Sequence, residues 1–440
     1  MENCSPTSLP LSLYIHVPIC AGKCLYCDFF SVPRAAVSAP VEQNLVAETI
    51  EQARFFLEAL GRGRDVHLET LYVGGGTPSA LSRENLDRLL SEFRGTGWQE
   101  WTVEANPESI DEEFLDLCGQ AGVTRLSVGI QTMGDARLGL LGRPGSRRDN
   151  ERALELLRSR WTGDLSLDFI AGIPGQSAAD VRADLSVLDV LPVSHASLYS
   201  LTLEPGTGLF EQVQEGGIAM NEPECDEELW FAGKDEMERR GFENYEISNF
   251  CLPGKASKHN LRYWNLEPYL GVGPGAVSTL PAQLLRGVLE AHGKAVSGLS
   301  EHPVCRLSNP ESIEGYLVGR EKLWEMEVEA IQPRDFLIEN LMMGLRLAAG
   351  IPADRLERRF GRSFEELFPG LWQRWVERGL AQPVEQSVGS HSCLRLSESG
   401  RLILNSLMGE VADRARDPLL AALPALGVLG ALPALEVRWP

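Results

Sequence analysis

The sequence is short of positive charge. Lys and Arg total 41 against 62 Asp and Glu, which leaves a formal charge of −21 at pH 7. A chain this acidic is a poor electrostatic match for nucleic acid or for an anionic membrane surface. No nucleic-acid partner is expected, and membrane contact is expected to be peripheral at most. No run of like charges is long enough to read as an interaction tail. The segment Met1–Pro10 contains Glu2 and no basic stretch ahead of a hydrophobic run. It therefore reads as neither a signal nor a transit peptide, and a cytoplasmic location is expected. An unbroken membrane-length apolar helix is also missing. Pro418–Leu435 has 18 residues without a charge, but Pro424, Gly427, Gly430 and Pro433 interrupt it. Proline removes a backbone donor and clashes with the preceding turn, so a loosely packed apolar tail is expected over 412–440. Nine cysteines, an odd number with no secretion signal, argue against a disulfide scaffold.

From Ser12 to about Thr202 the sequence repeats one pattern of short β-rich run, Gly-rich or polar loop, and helical segment. The expected strands are Leu13–His16, Thr70–Val73, Trp101–Glu104, Arg125–Val128, Leu165–Ile170 and His195–Ser200. Helical stretches lie between them, among them Val41–Leu60, Ser82–Phe93, Ile110–Ala121, Asp149–Arg158 and Ala178–Leu188. Such alternation gives a parallel sheet with right-handed crossovers. Six units predict an α/β fold, a partial (β/α)6 barrel short of the closed eight-fold form. Its chemistry belongs on the loops at the C-terminal ends of the strands. The barrel and its extension are expected over 11–285, with a connecting segment over 286–330. Helices at Pro333–Ala348, Ala353–Arg359 and Ser363–Arg378 follow, then strand-like runs Leu380–Val384 and Cys393–Leu396 and a helix capped by Ser397. This predicts a helical, winged-helix-like domain over 331–411. The acidic composition favours a packing or lid role for it over DNA binding.

Three of the nine cysteines fall within eight residues, as Cys20-Ala-Gly-Lys-Cys24-Leu-Tyr-Cys27. Three thiolates converging from one tight loop suit a cubane iron–sulfur cluster with one iron left open. The competing reading is zinc, which wants four closed ligands, and His16 is the nearest fourth. Tyr14-Ile-His16-Val-Pro18 leading into this C-x3-C-x2-C loop resembles the radical SAM superfamily. Within it, the chain is similar to the group that holds oxygen-independent coproporphyrinogen III oxidase and its heme-chaperone relatives. The resemblance runs from about Leu11 to Met408.

The resemblance implies a [4Fe–4S] cluster on Cys20, Cys24 and Cys27, with S-adenosylmethionine (SAM) on the open iron. It also implies a SAM pocket lined by Tyr14, Tyr26, Gly75, Gly76, Thr77, Glu104, Gln131, Arg143, Asp168, Thr202, Ala276 and Val277. Several of these types suit the task on their own chemistry. Glycines in Gly74–Pro78 let backbone approach a ligand. Gln131 offers donor and acceptor to ribose hydroxyls, and Arg143 offers a planar fork for a carboxylate. Asp168, an acid among apolar strand residues, is costly to bury unless paired.

Two features choose a branch of the group. The resemblance to the oxidase would place a further cysteine at position 29, and this chain has Phe29. The chain also reaches its cysteine loop by residue 20. Both point to the heme-chaperone branch. His259-Asn260-Leu-Arg-Tyr263-Trp264 matches a heme-associated motif of that branch, with His259 as an axial ligand or, alternatively, as part of a hydrogen-bonded structural corner. The resemblance thus implies three cofactors: the cluster, SAM and heme. The implied partners are an electron donor and heme-acceptor proteins such as respiratory cytochromes. The alternative is the oxidase, decarboxylating coproporphyrinogen III.

Overall fold

The computed structural model describes residues 8–62, 65–293, 299–384 and 392–414. The apolar run Pro418–Leu435 lies outside them. Six parallel strands form the centre of the molecule: β1 (Ser8–Val17), β2 (Asp65–Gly75), β3 (Glu100–Ala105), β4 (Arg125–Gln131), β5 (Asp164–Ala171) and β6 (His195–Ser200). They pair in sequence order, with Leu13 opposite Leu71 and Ser166 opposite His195. Helices connect them. Helix Ala39–Gly61 buries Leu45, Val46, Ile50, Ala53, Phe56 and Leu60 at helical spacing. Ser146 and Ser177 open the helices before and after β5 with capping boxes to Asp149 and Asp180.

The strands have two faces of different chemistry. Trp101, Val103, Leu126, Val128, Leu165, Leu167, Ala196 and Leu198 pack outward into the helix layer as the main core. The alternate residues turn inward, and they are mostly polar: Thr70 and Tyr72, Thr102 and Glu104, Arg125 and Ser127, Ser166 and Asp168, His195 and Ser197. A closed barrel of this kind fills its interior with branched apolar side chains. This partial one keeps a polar interior, with a chamber of about 40 Å³ lined by these inward residues. Arg125 Nε, Arg125 Nη1 and Thr102 Oγ1 are buried there without hydrogen-bond partners among the described residues.

The sheet does not stop at six strands. Beyond β6 come β8 (Asn249–Cys251) and β7 (Glu243–Asn244), both antiparallel. Beyond β1 come β9 (Tyr269–Val272), parallel to it, and then antiparallel β10 (Val277–Pro281), β11 (Val304–Ser308) and β12 (Glu327–Ile331). The resulting twelve-stranded order is β12-β11-β10-β9-β1-β2-β3-β4-β5-β6-β8-β7. Within the expected connecting segment 286–330, β11 and most of β12 join the sheet. Cys305, Leu307, Tyr316, Leu323 and Trp324 belong to the main core.

From Pro333 onward the chain is mostly helical, with a second core around Phe336, Leu341, Phe360, Trp375 and Leu407. The single helix expected over Ser363–Arg378 is two, Phe364–Leu367 and Leu371–Glu377. Pro369 and Gly370, at φ +66°, break it. The expected wing also differs. Cys393–Leu394 pairs with Ile351–Pro352, and among the described residues the run beginning at Leu380 meets the 393–396 run at an Ala381–Leu396 bridge flanked by Gln382 N–H to Arg395 O and Ser397 N–H to Leu380 O. No described helix is long and apolar enough to cross a membrane.

Candidate functional site

At the C-terminal ends of β2 to β6 lies a cavity of about 380 Å³. The cysteine loop forms one wall and the strand ends form the other. The loop is held by backbone bonds at both ends. Ile19–Cys20 ladders onto Val32–Pro33, and Leu25 N–H donates to Leu141 O at 2.9 Å while its carbonyl accepts from Leu209 N at 2.7 Å. Cys20, Cys24 and Cys27 all face the cavity. Burial raises the Cys20 and Cys27 thiols.

The glycine loop is stitched to the cysteine loop. Gly76 N–H donates to Val17 O and Thr77 N–H to Ile19 O, both at 2.8 Å. A Cβ on Gly76 would sit 2.7 Å from that same Val17 oxygen, and one on Gly75, at φ +103°, would sit 2.5 Å from the His16 ring. These glycines are therefore required by packing. Gly75 N–H is also committed, to Glu104 Oε2 at 3.1 Å. With the N–H groups of Gly75, Gly76 and Thr77 committed, the loop's backbone has carbonyls left for a ligand, which suits a donor such as an ammonium group. His16, the nearest candidate for a fourth zinc ligand, has both ring nitrogens engaged. Its Nδ1 is 2.9 Å from Tyr14 Oη and its Nε2 2.9 Å from Phe30 O.

The opposite wall carries charge. Glu104 accepts from Tyr72 Oη at 2.5 Å, and Asp168 accepts from Ser197 Oγ at 2.7 Å and Ser127 Oγ at 3.2 Å. Burial raises both carboxyls, Glu104 to about 7 and Asp168 to about 6, against those hydrogen bonds. Arg143 Nη2 donates to Gly129 O at 2.7 Å and to Asn106 Oδ1 at 3.0 Å, and its Nη1 lies 3.7 Å from Cys24 Sγ. Asn106 in turn donates to Thr77 Oγ1 at 2.9 Å. One hydrogen-bonded chain thus links the glycine loop to the cysteine loop through Asn106 and Arg143. Gln131 ends β4 at φ +63°, an uncommon conformation for a non-glycine residue and one that clusters at functional sites.

Tyr26, Gly75, Gly76, Thr77, Glu104, Gln131, Arg143, Asp168 and Thr202 all line this cavity with the three cysteines. Tyr14, Ala276 and Val277 do not. Tyr14 is turned to His16 in the barrel, and Gly275, just before Ala276, lies against Phe30, which stacks on His16. Sequence reasoning missed Tyr72, Asn106, Ser127 and Tyr199.

A cubane needs each thiolate on its own iron, from one loop, with a cavity beside the open iron. The three cysteines on one preformed loop at the mouth of this cavity meet that requirement. Among the described residues, no three His, Cys, Asp or Glu side chains close on one point for a single metal ion.

His259, Tyr263 and Trp264 lie elsewhere. The helix Lys258–Trp264 plugs the N-terminal end of the barrel, opposite the cysteine loop. Glu100, the first residue of β3, accepts from Ser257 Oγ, Lys258 N and His259 N and so caps this helix. Arg125 pairs with the same carboxylate at 3.2 Å. The His259 ring is fully buried. Its Nδ1 is 2.7 Å from Thr70 Oγ1 and its Nε2 2.8 Å from Tyr263 Oη. Thr70 donates its own hydrogen to Ser12 Oγ, so His259 Nδ1 is the donor and Nε2 accepts from Tyr263. Burial holds the ring neutral, with its pKa lowered to about 3. As placed, His259 offers no lone pair to an iron and acts as a hydrogen-bonded corner.

A model of the Radical SAM superfamily matches residues 14–188, and a model of the HemN C-terminal domain matches 331–403. The chain is 31% identical to "Heme chaperone HemW" of Bacillus subtilis over 405 residues, covering 90% of this chain and 98% of that one. It is 31% identical to the Escherichia coli protein of the same name, covering 91% and 97%. Bos taurus "Radical S-adenosyl methionine domain-containing protein 1, mitochondrial" is 32% identical, covering 94% and 90%. Among solved structures, the E. coli coproporphyrinogen III oxidase HemN superposes with a TM-score of 0.71 at 18% identity, over 93% of this chain and 91% of that one, a likeness of fold. The chain belongs to the HemW family of the radical SAM superfamily.

Proposed function

We propose that this protein is a cytoplasmic heme chaperone that binds heme and passes it to acceptor proteins such as respiratory cytochromes. It carries a [4Fe–4S] cluster on Cys20, Cys24 and Cys27 and SAM in the adjoining cavity. The observation that carries this reading is similarity at 31% identity, along nearly the whole chain, to proteins named as heme chaperones. Phe29, standing where the related oxidase would have a fourth cysteine, supports it.

In this reading the cluster, when bound, supplies one-electron chemistry fed by an electron donor. The chain's residues bind and orient SAM. The carbonyls of Gly74–Gly76 and the Glu104 carboxylate receive its ammonium group. Arg143 faces its carboxylate, while Gln131 and Asp168 serve the ribose hydroxyls. Tyr26 and Thr202 border the pocket. Phe29, 63% exposed at the mouth, leaves an apolar rim where the oxidase branch would have a thiol.

The test is anaerobic reconstitution followed by two parallel assays. Heme binding is followed by its Soret band, and coproporphyrinogen III turnover is assayed with SAM and a competent reductant. Heme binding without turnover is expected. A clear protoporphyrinogen product would replace this reading with the oxidase.

A further inference from the structure

Most of the described arginines face a carboxylate, but three at one junction do not. Arg346, Arg355 and Arg359 come from the C-terminal domain and converge on Trp264–Leu266, where the helix plugging the barrel ends. The Arg346 guanidinium carbon lies 5.8 Å from the Trp264 ring centre. Arg355 Nη2 donates to Asn265 Oδ1 at 2.7 Å. Arg359 Nη2 donates to Asn265 O at 2.9 Å and Leu266 O at 3.3 Å. These bonds satisfy the carbonyls of the helix end, but among the described residues no carboxylate comes with them. The nearby carboxylates are already committed: Asp354 to Arg358, Glu267 to Arg262 and Glu339 to Arg306.

Two N–H groups at this junction have nothing to donate to. Arg346 Nε and Arg355 Nε are buried without a hydrogen-bond partner among the described residues, and Arg355 is only 4% exposed. A buried guanidinium edge without an acceptor or a compensating charge is costly. Burial lowers Arg355 to about 10 and Arg359 to about 9, the latter helped by Arg355 and Arg358. The chain carries a formal charge of −21, yet among the described residues no carboxylate pairs with Arg346, Arg355 or Arg359. The missing partner is an anion with the planar, bidentate geometry that guanidinium groups match. Beside it stands the half-buried Trp264 ring, with the Arg346 guanidinium set over it.

We propose that this junction binds a carboxylate-bearing aromatic ligand, with Arg346 and Arg355 as carboxylate donors and Trp264 as the surface its ring system rests on. Resting on the heme-chaperone reading above, the ligand is heme, whose two propionates are the carboxylates. The macrocycle then sits on the outer end of the motif helix, at Trp264, while the His259 ring faces the barrel interior.

The test compares hemin with hemin dimethyl ester, in which both propionates are blocked, by Soret titration of the full-length reconstituted protein. Wild type is expected to bind the ester about ten-fold more weakly than hemin, the loss of one good charge-assisted contact. Arg346→Gln, which removes a side chain making no hydrogen bond of its own, should weaken hemin by a similar factor and leave the ester unchanged. The preference then collapses. Arg355→Lys should reduce it in part, and thermal melts of both variants control for folding. Equal binding of hemin and ester by wild type, or a preference that survives Arg346→Gln, would overturn the site while leaving the chaperone reading intact. Failure of both porphyrins to bind would overturn the chaperone reading and the site with it.

Discussion

Tyr72 donates its hydroxyl hydrogen to Glu104 Oε1 at 2.5 Å, reaching the cofactor cavity from inside the barrel. The same tyrosine ring lies 5.1 Å from the ring of His259. One side chain therefore touches both the wall of the cavity and the helix that plugs the barrel's other end.

Glu104 makes the stability of the ligand-free protein fall with rising pH. Its carboxyl is raised from an ordinary 4.5 to about 7, chiefly by burial. A raised acid favours the folded state fully below its unfolded pKa, and that contribution is lost as pH rises through the folded value. Between pH 4.5 and pH 8 the loss should be on the order of 3 kcal/mol. Denaturant unfolding of wild type and Glu104→Gln at both pH values checks it. The variant should gain on wild type at pH 8 and match it near pH 4.5. A constant gap would show that Glu104 titrates as an ordinary carboxyl.

SAM binding should move the other way. Its cationic groups gain from an ionised Glu104, so affinity should rise as pH passes through about 7. Tyr72→Phe removes a bond that lowers the Glu104 pKa, and should shift the midpoint upward. Isothermal titration across pH 6 to 8 reads both. A flat profile in both proteins would remove Glu104 from the SAM site.

The cysteine loop predicts its own chemistry. After anaerobic reconstitution, about four irons and four sulfides per chain are expected, as a cubane requires. Changing Cys20, Cys24 and Cys27 together to Ala should abolish them, and iron with sulfide retained in that variant would sink the assignment.

A valine at position 76, introduced by Gly76→Val, should do more than crowd SAM. The stitched loops predict a broader failure, because its Cβ meets Val17 O and the backbone of Ile19 within 2.9 Å. Cluster content and the SAM-induced change in the electron paramagnetic resonance spectrum should be lost together. Full cluster loading with only the SAM response lost would mean that the loop relaxes around the added atoms.

His259→Ala should destabilise the protein by about 2–4 kcal/mol, since it opens a cavity and leaves the Tyr263 hydroxyl without its acceptor. Denaturant melts and Soret titrations should be run on the same preparation. Loss of heme affinity with unchanged stability would show that the ring leaves its corner to meet the iron.

The six parallel strands were legible because their outward residues are apolar at period two, as in Trp101, Val103 and Ala105. The inward alternation of Glu100, Thr102 and Glu104 or of Arg125 and Ser127 was equally present. Read as a polar strand face, it would have pointed to Tyr72, Ser127 and Tyr199. The antiparallel strands β10 to β12 were less visible. They are five residues each, and helical connections separate β10 from β11 and β11 from β12. The histidine motif was visible as a motif. Its direction was not, because Thr70 and Glu100, which fix it, are remote in sequence. The three unpaired arginines escaped because the absence of a counter-ion is a property of space, not of order along the chain.

The sheet never closes, so it has two ends, and neither invites another strand. At one end β12 sets Glu327 and Glu329 outward as exposed charges, with Glu329 opposite Arg306. At the other, β7 is only two residues long. Short or charged borders are how sheets avoid templating aggregation. A visiting protein must then be met by side chains rather than by a shared backbone ladder.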